Sequence, residues 1–255
     1  MNNIYLSVVI PSYNETENLK RGVLIEVRDY LAKQKYPWEV IIVDDESPDE
    51  EARNLARIFC EQNPGFKFIQ AKHGGKVGAL WTGIKLCVGE YILFTDMDQS
   101  SPINEIEKLL PNFDQGFDIV VGSRGLERKK FSLFRQLSSF IFRNFRRSVL
   151  LRKIIDTQAG FKIARTAVVK EIFPLLSVVE NLGHVKGWSP GSWDVEYLVA
   201  AEVRGYKIVE VPISWEDRDV TTGKKGGSKF IKESIDMVKE VLQVKYYQLS
   251  GRYKK

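Results

Sequence analysis

Along the first hundred residues, short apolar runs alternate with longer stretches whose apolar positions recur every three or four residues. That alternation predicts strands interleaved with amphipathic helices. Strands are expected at 5–11, 38–43, 66–70 and 91–95. Helices are expected at 15–34, where Leu19, Val23 and Val27 share a face, at 49–61, and from Gly75 to Val88. Such a series builds an α/β fold with a mostly parallel sheet flanked by helices. The second half is less regular, with strands at 118–122, 162–163 and 207–212 and a helix at 194–204. A terminal amphipathic helix at 228–249 has Ser228 as a plausible N-cap and Ile231, Ile235, Val238, Leu242 and Leu249 on one face. No repeat and no linker divides the chain, so residues 1–255 read as one domain.

Three of the early strands end in polar or acidic residues: Ser12-Tyr13-Asn14-Glu15, Asp44-Asp45-Glu46-Ser47 and Asp96-Met97-Asp98. In parallel strands these ends share the carboxyl edge, where open α/β sheets bind ligands. Two carboxylates one residue apart repel each other unless a cation lies between them. Mg²⁺ or Mn²⁺ held by Asp96 and Asp98, with substrate phosphates completing its shell, fits that need. The bland alternative is a strand-end turn. Glu15 and Asp45 are acceptors beside the same edge, although a helix N-terminal acid explains Glu15 nearly as well. Lys72-His73-Gly74-Gly75-Lys76 opens a helix, so its N–H groups and Lys76 are suited to phosphate. The loop lacks Walker spacing, and His73 reads as a loop residue. Asp156 heads Asp156-Thr157-Gln158-Ala159-Gly160-Phe161-Lys162, where it can orient an acceptor, act as a base, or hold Lys162 and nearby arginines. Asp194 reads as a helix cap.

Composition changes this picture in one place. The chain is 44% hydrophobic and 28% charged with a net charge of +5, ordinary for a globular protein. Nine Lys/Arg and no acid occupy 128–155, interleaved with aromatics. On a helical wheel Phe134, Leu137, Ile141 and Phe145 oppose Arg135, Arg143 and Arg146, while Phe131, Phe140, Phe142 and Leu150 widen the apolar surface. A helix lying in an anionic membrane interface suits this better than a solvated core helix. No RNA-recognition motif accompanies it, so nucleic acid is not an expected partner. Cys60 and Cys87 read as reduced core thiols, no signal peptide opens the chain, and no run is long enough to span a bilayer. The expected location is cytoplasmic, peripheral at the cytosolic face of a membrane.

These motifs together resemble family 2 glycosyltransferases of GT-A fold, in the dolichyl/polyprenyl-phosphate hexose synthase branch. The carriers are Val9 to Glu15, Val43 to Asp49, Asp96-Met97-Asp98, Gly122-Ser123-Arg124, Asp156 to Lys162, Glu210 to Trp215, and Gly227-Ser228-Lys229. The resemblance implies that Pro11, Tyr13, Glu15, Val43 and Asp45 contact a nucleotide-sugar donor, joined by Lys76, Asp96 and Met97. It implies a Mg²⁺ or Mn²⁺ ion on Asp96 and Asp98, with Gln99 or Ser100 completing the shell. Catalytic duties fall to Asp98, Arg124, Asp156, Arg218 and Lys229, the basic residues engaging donor phosphates or acceptor. It further implies amphipathic interface helices at the membrane (126–155 and 228–250), a polyprenyl or dolichyl phosphate acceptor, and allows a small membrane-anchor subunit as partner. Two departures stand out: Glu46 occupies a position that commonly holds glycine, and Ser100 one that is often Gln in the mannosyl branch, although Gln99 is adjacent.

The segment 156–162 looks like the glucosyl branch, whereas Glu210 to Ser214 with Asp217-Arg218 looks like the mannosyl branch. UDP-glucose is favoured over GDP-mannose. A lipid monophosphate is already largely deprotonated at pH 7, so transfer needs no strong general base. In-line displacement would invert the anomeric carbon to a β-linked lipid-phosphate sugar. Competing readings are a nucleotidyltransferase, which would want a glycine-rich loop that Pro11 to Glu15 lacks, and a non-catalytic basic protein binding lipid or nucleic acid.

Overall fold

The computed structural model describes residues 3–124, 150–151, 154–182, 193–218, 220 and 227–254, with the side chains of 227–237 left out. Of the basic helix expected at 131–151, residues 131–149 therefore lie outside the described residues, as does the Lys229 side chain.

Seven strands form one sheet: β1 Leu6–Ser12, β2 Trp38–Asp44, β3 Phe66–Gln70, β4 Tyr91–Phe94, β5 Ile119–Ser123, β6 Lys162–Arg165 and β7 Ile208–Pro212, in the order β3-β2-β1-β4-β6-β5-β7. The pairs β1–β2, β1–β4, β2–β3 and β5–β7 are parallel. Strand β6 runs antiparallel between β4 and β5. The mostly parallel sheet was legible in the sequence, and the reversed strand was not.

Both faces of the sheet are covered, which is why β1 and β2 are continuous apolar runs. Along them the side chains alternate between two cores. Val9, Ile41 and Val43 pack with helices Gly75–Leu86, Thr166–Ile172 and Trp193–Val203 on one face. Val8, Ile10, Val40 and Ile42 pack with Val23–Leu31 and Glu50–Gln62 on the other. Asp49 caps the latter helix by accepting from the Glu51 and Ala52 N–H groups.

Three expectations need correction. The single helix expected at 15–34 is two, Thr16–Lys20 and Val23–Leu31, because Gly22 turns left-handed at φ 85° and breaks the ladder. Leu150 does not widen an exposed apolar surface; it is buried in the core with Leu151 and Ile154. The terminal helix Gly227–Leu249 turns Val241 and Val244 inward, while Val238, Leu242 and Leu249 of the expected apolar face stay exposed, with Tyr246 beside them. Its core-facing stripe is therefore one step round the helix from the one the pattern suggested.

Candidate active site

The parallel register levels the ends of β1 and β2, Ser12 lying opposite Asp44, and brings the loop after β4 beside them. Each of these three loops holds one non-glycine residue in the left-handed region: Asn14 and Glu46 at φ 57° and Gln99 at φ 49°. Such strain gathers where a fold must aim groups at a site. It also accounts for glycine at the position Glu46 fills, since glycine adopts that backbone freely. Glu46 adds a bond in exchange, its carboxylate accepting the His73 N–H at 2.9 Å.

On the β2 side, Asp44 is spent on its own turn, accepting Ser47 Oγ at 2.5 Å and Ser47 N at 3.0 Å. Asp45 is fully buried, accepts Gly74 N at 2.8 Å, and has His73 Nδ1 2.9 Å from its other oxygen. Burial pushes the Asp45 carboxyl up, and the Gly74 N–H and His73 only partly oppose it. The Tyr13 ring stands 5.6 Å from that of His73. His73 thus ties the second motif to the Gly74-Gly75-Lys76 helix start, a role its sequence context did not reveal.

The loop after β4 presents the paired carboxylates. Asp98 accepts Ser100 N at 2.8 Å, which fixes its rotamer. Asp96 meets Lys76 Nζ at 2.5 Å. Burial would raise the Asp96 carboxyl, but Lys76, backed by Lys162 and Arg124, outweighs it and holds the group below its ordinary value. The neighbouring Gln99 is buried; its Nε2 donates to Asp96 O at 2.9 Å, and its Oε1 finds no partner among the described residues. Two carboxylates in the cleft, on the loop that also carries Gln99 with its unpaired buried Oε1, offer oxygen donors, which fit a hard divalent cation. No group of three or more His, Cys, Asp or Glu among the described residues forms a closed metal cage. A cation here would depend on ligands from substrate and water, as Mg²⁺ commonly does.

Across a cleft of ≈ 220 Å³, lined by Thr95, Asp96, Asp98, Arg124, Gln158, Gly160, Trp215 and Asp217 among others, lies the basic side. Arg124 emerges from β5 and is gripped by Asp156 through Nε and Nη2, both at 2.8 Å, its guanidinium 5.8 Å from the Trp215 ring centre. Glu210 on β7 accepts the Ile155 and Asp156 N–H groups at 2.6 and 2.9 Å, so the Glu210–Trp215 segment anchors Asp156. Beneath them Lys162, 1% exposed, pairs with Asp194 at 2.5 Å. Burial pushes Lys162 down and Asp194 up, each opposed by the other's charge. Asp194 is therefore committed to Lys162, in place of the helix-cap duty expected of it.

The expected site residues separate into groups. Asp96, Asp98, Arg124 and Asp156 converge on the cleft or its wall. Pro11 is buried in β1, while the side chains of Val43 and Met97 are core residues, so what those two could offer a donor is backbone. Glu15 accepts Asn18 Nδ2 at 2.6 Å and makes no capping bond. Arg218 is not brought into the cleft: both Nη atoms reach Glu26, at 2.9 and 2.7 Å. Arg21 braces the same corner, donating to Arg218 O at 2.6 Å and Asp98 O at 2.7 Å. Arg21 and Glu26 carry no sequence signal beyond charge, because their partners lie far away in the chain.

Comparison with known proteins places this geometry. Residues 7–173 match the family model described as glycosyl transferase family 2. The dolichyl-phosphate beta-glucosyltransferase of Saccharomyces cerevisiae is 33% identical over 98% of this chain and 77% of its own length. The human protein of the same name is 30% identical, with coverages of 98% and 77%. Glucosyl-3-phosphoglycerate synthase from Mycobacterium tuberculosis, solved with phosphoglyceric acid, superposes with a TM-score of 0.67 at 14% identity, covering 94% of this chain and 80% of that one. The same enzyme solved with Mn²⁺, UDP-glucose and glycerol 3-phosphate gives 0.63 at 14% identity, with coverages of 94% and 80%. The sheet is that of a GT-A glycosyltransferase, and the chain belongs to glycosyl transferase family 2.

Proposed function

We propose that this enzyme transfers glucose from UDP-glucose to a polyprenyl or dolichyl phosphate, with inversion, at a membrane surface. The observation that carries the reading is the cleft itself, which sets acids at Asp96 and Asp98 against a positioned cation at Arg124. The similarity to dolichyl-phosphate glucosyltransferases over nearly the whole chain supports the choice of sugar and acceptor.

The chemical problem is to bring one anion against another. The acceptor's phosphomonoester, with a second pKa of about 6, is already nucleophilic at neutral pH. Its oxygen attacks the anomeric carbon as the bond to the nucleoside diphosphate breaks, so the configuration inverts. Asp96 and Asp98, with Gln99 Oε1 at hand, are the groups that would hold Mg²⁺ or Mn²⁺. Bound there, the ion would supply charge neutralisation to the leaving diphosphate. Arg124, held flat by Asp156, offers N–H donors to the acceptor phosphate. Asp156 is a positioning residue in this scheme and accepts no proton. Asp45 and Tyr13 would serve the nucleoside.

The membrane assignment rests on the exposed stripe Val238, Leu242, Tyr246 and Leu249, an apolar face with aromatic character suited to an interface. No helix among the described residues is long and apolar enough to cross a membrane. The deciding experiment is a donor panel of UDP-glucose, UDP-galactose and GDP-mannose with polyprenyl phosphate and either metal. Glucosyl transfer with nucleotide release is the expected result; preferential mannosyl transfer would replace the donor assignment.

A further inference from the structure

Lys76 has an unusual position for an ammonium group. It lies in the first turn of helix Gly75–Leu86, whose N-terminal end carries positive dipole charge and disfavours cations. What holds it there is Asp96, with coulombic support from Asp194 and Asp98; these outweigh burial and keep the lysine strongly protonated. Asp96 is confined in turn. A Cβ on Gly160 would lie 2.7 Å from Asp96 Cγ and closer still to Oδ2, so the Gly160 backbone presses against the carboxylate face away from Lys76. Gly160 is outside the left-handed region, so space, not torsion, is what requires glycine there.

We propose that Lys76 is a resident counter-cation of Asp96, which a divalent metal must displace, and that the donor's diphosphate then takes up the displaced ammonium. An ammonium on Asp96 Oδ1 repels a metal ion brought to the same carboxylate. Gly160 leaves Asp96 little room to turn from one to the other. The diphosphate resolves the competition by giving Lys76 a second anion, beside a helix N-terminus that favours phosphate. Metal and nucleotide therefore bind cooperatively, and Lys76 supplies part of that coupling. The residue changes partner during the cycle, which a fixed phosphate ligand would not do.

This inference rests on the reading that Asp96 and Asp98 hold the donor's metal. The test is Mn²⁺ binding followed by electron paramagnetic resonance, with and without UDP, on wild type, Lys76→Met and Lys76→Arg. Without UDP, Lys76→Met should bind Mn²⁺ about tenfold more tightly than wild type, and the further gain on adding UDP should shrink by a similar factor. Lys76→Arg should keep wild-type behaviour in both. Unchanged or weaker Mn²⁺ binding by Lys76→Met without UDP would overturn the proposal, because a lysine that merely orients Asp96 gives that sign. Should Lys76→Met fail to fold, Lys76→Gln carries the same test in the same direction. If wild type binds no Mn²⁺ even with UDP, the metal-site reading falls as well. If it binds but removing the lysine does not tighten it, only the exchange falls.

Discussion

Glu39 and Asp96 are both drawn into the same sheet, at opposite edges, and they show what separates a structural carboxylate from a functional one. Glu39, at the amino edge, is 3% exposed and saturated: it accepts Ser7 Oγ at 2.7 Å, Lys67 Nζ at 2.8 Å and Val88 N at 2.9 Å. Ser7 Oγ in turn accepts Gly89 N at 2.9 Å, stitching β1 and β2 to the turn before β4. Asp96, at the carboxyl edge, keeps 41% of its side chain exposed, and one lysine holds it. Lys76 reaches it from the first turn of a helix, and the carboxylate lines a cleft. Ser7, Lys67 and the Val88 N–H close the first site; the second, held by one lysine, stays available for substrate.

The largest effect should come from breaking the open site. Asp98→Ala is expected to lower glucosyl transfer about a thousandfold while the protein still melts cooperatively. Activity within a few-fold of wild type would remove Asp98 from the chemistry. Next comes the ion pair underneath: Lys162→Met strands Asp194 and should cost about 3–5 kcal/mol in urea denaturation. The double replacement Lys162→Met with Asp194→Leu should recover most of that loss, whereas a merely additive result would deny the pairing its cost. At the closed site, Glu39→Gln should cost about 2 kcal/mol at pH 7. Burial works against ionised Glu39, but Lys67, Ser7 and the Val88 N–H outweigh it, so its folded pKa lies below the ordinary glutamate value. Its stabilisation is thus complete above that value and is lost as pH falls through the folded value, so the variant's deficit should shrink in acid. A deficit that grew in acid would reverse the sign.

A smaller effect separates positioning from proton transfer. Asp156→Asn should lower transfer about tenfold by loosening Arg124, and should leave the pH–rate profile unchanged in shape. A steep dependence above pH 7 that vanished in the variant would make Asp156 a base. Smallest for stability is Leu242→Glu on the exposed stripe, within about 0.5 kcal/mol of wild type. Its binding to anionic vesicles should nonetheless fall about tenfold. Unaltered vesicle binding would take the terminal helix off the membrane.

The half of the fold made of buried parallel strands could be read from the chain almost to the residue, because strands covered on both faces leave unbroken apolar runs. The terminal helix was harder. It carries apolar residues on two adjoining stripes, and nothing local says whether Val241 and Val244 or Val238 and Leu242 meet the core. Strand β6 was expected at 162–163, but its direction was hidden: nothing local says that it enters the sheet antiparallel, between β4 and β5. In the site, Asp96, Asp98 and Arg124 stood out as charges at strand ends. Arg21 and Glu26 did not, and Gly160, Glu210 and His73 showed only as members of motifs, since their contacts are purely spatial. A glycine pressed on a carboxylate resembles any other loop glycine until the two strands are brought together.

The account turns on what leaves the cleft as product. Purified enzyme should be given UDP-glucose, polyprenyl phosphate and Mn²⁺, and the lipid fraction examined by mass spectrometry and by the anomeric coupling in proton magnetic resonance. The predicted product is a single hexose joined through phosphate to the lipid, with a β-glucosyl linkage. An α-linked product, or release of UDP with no sugar on the lipid, would contradict it.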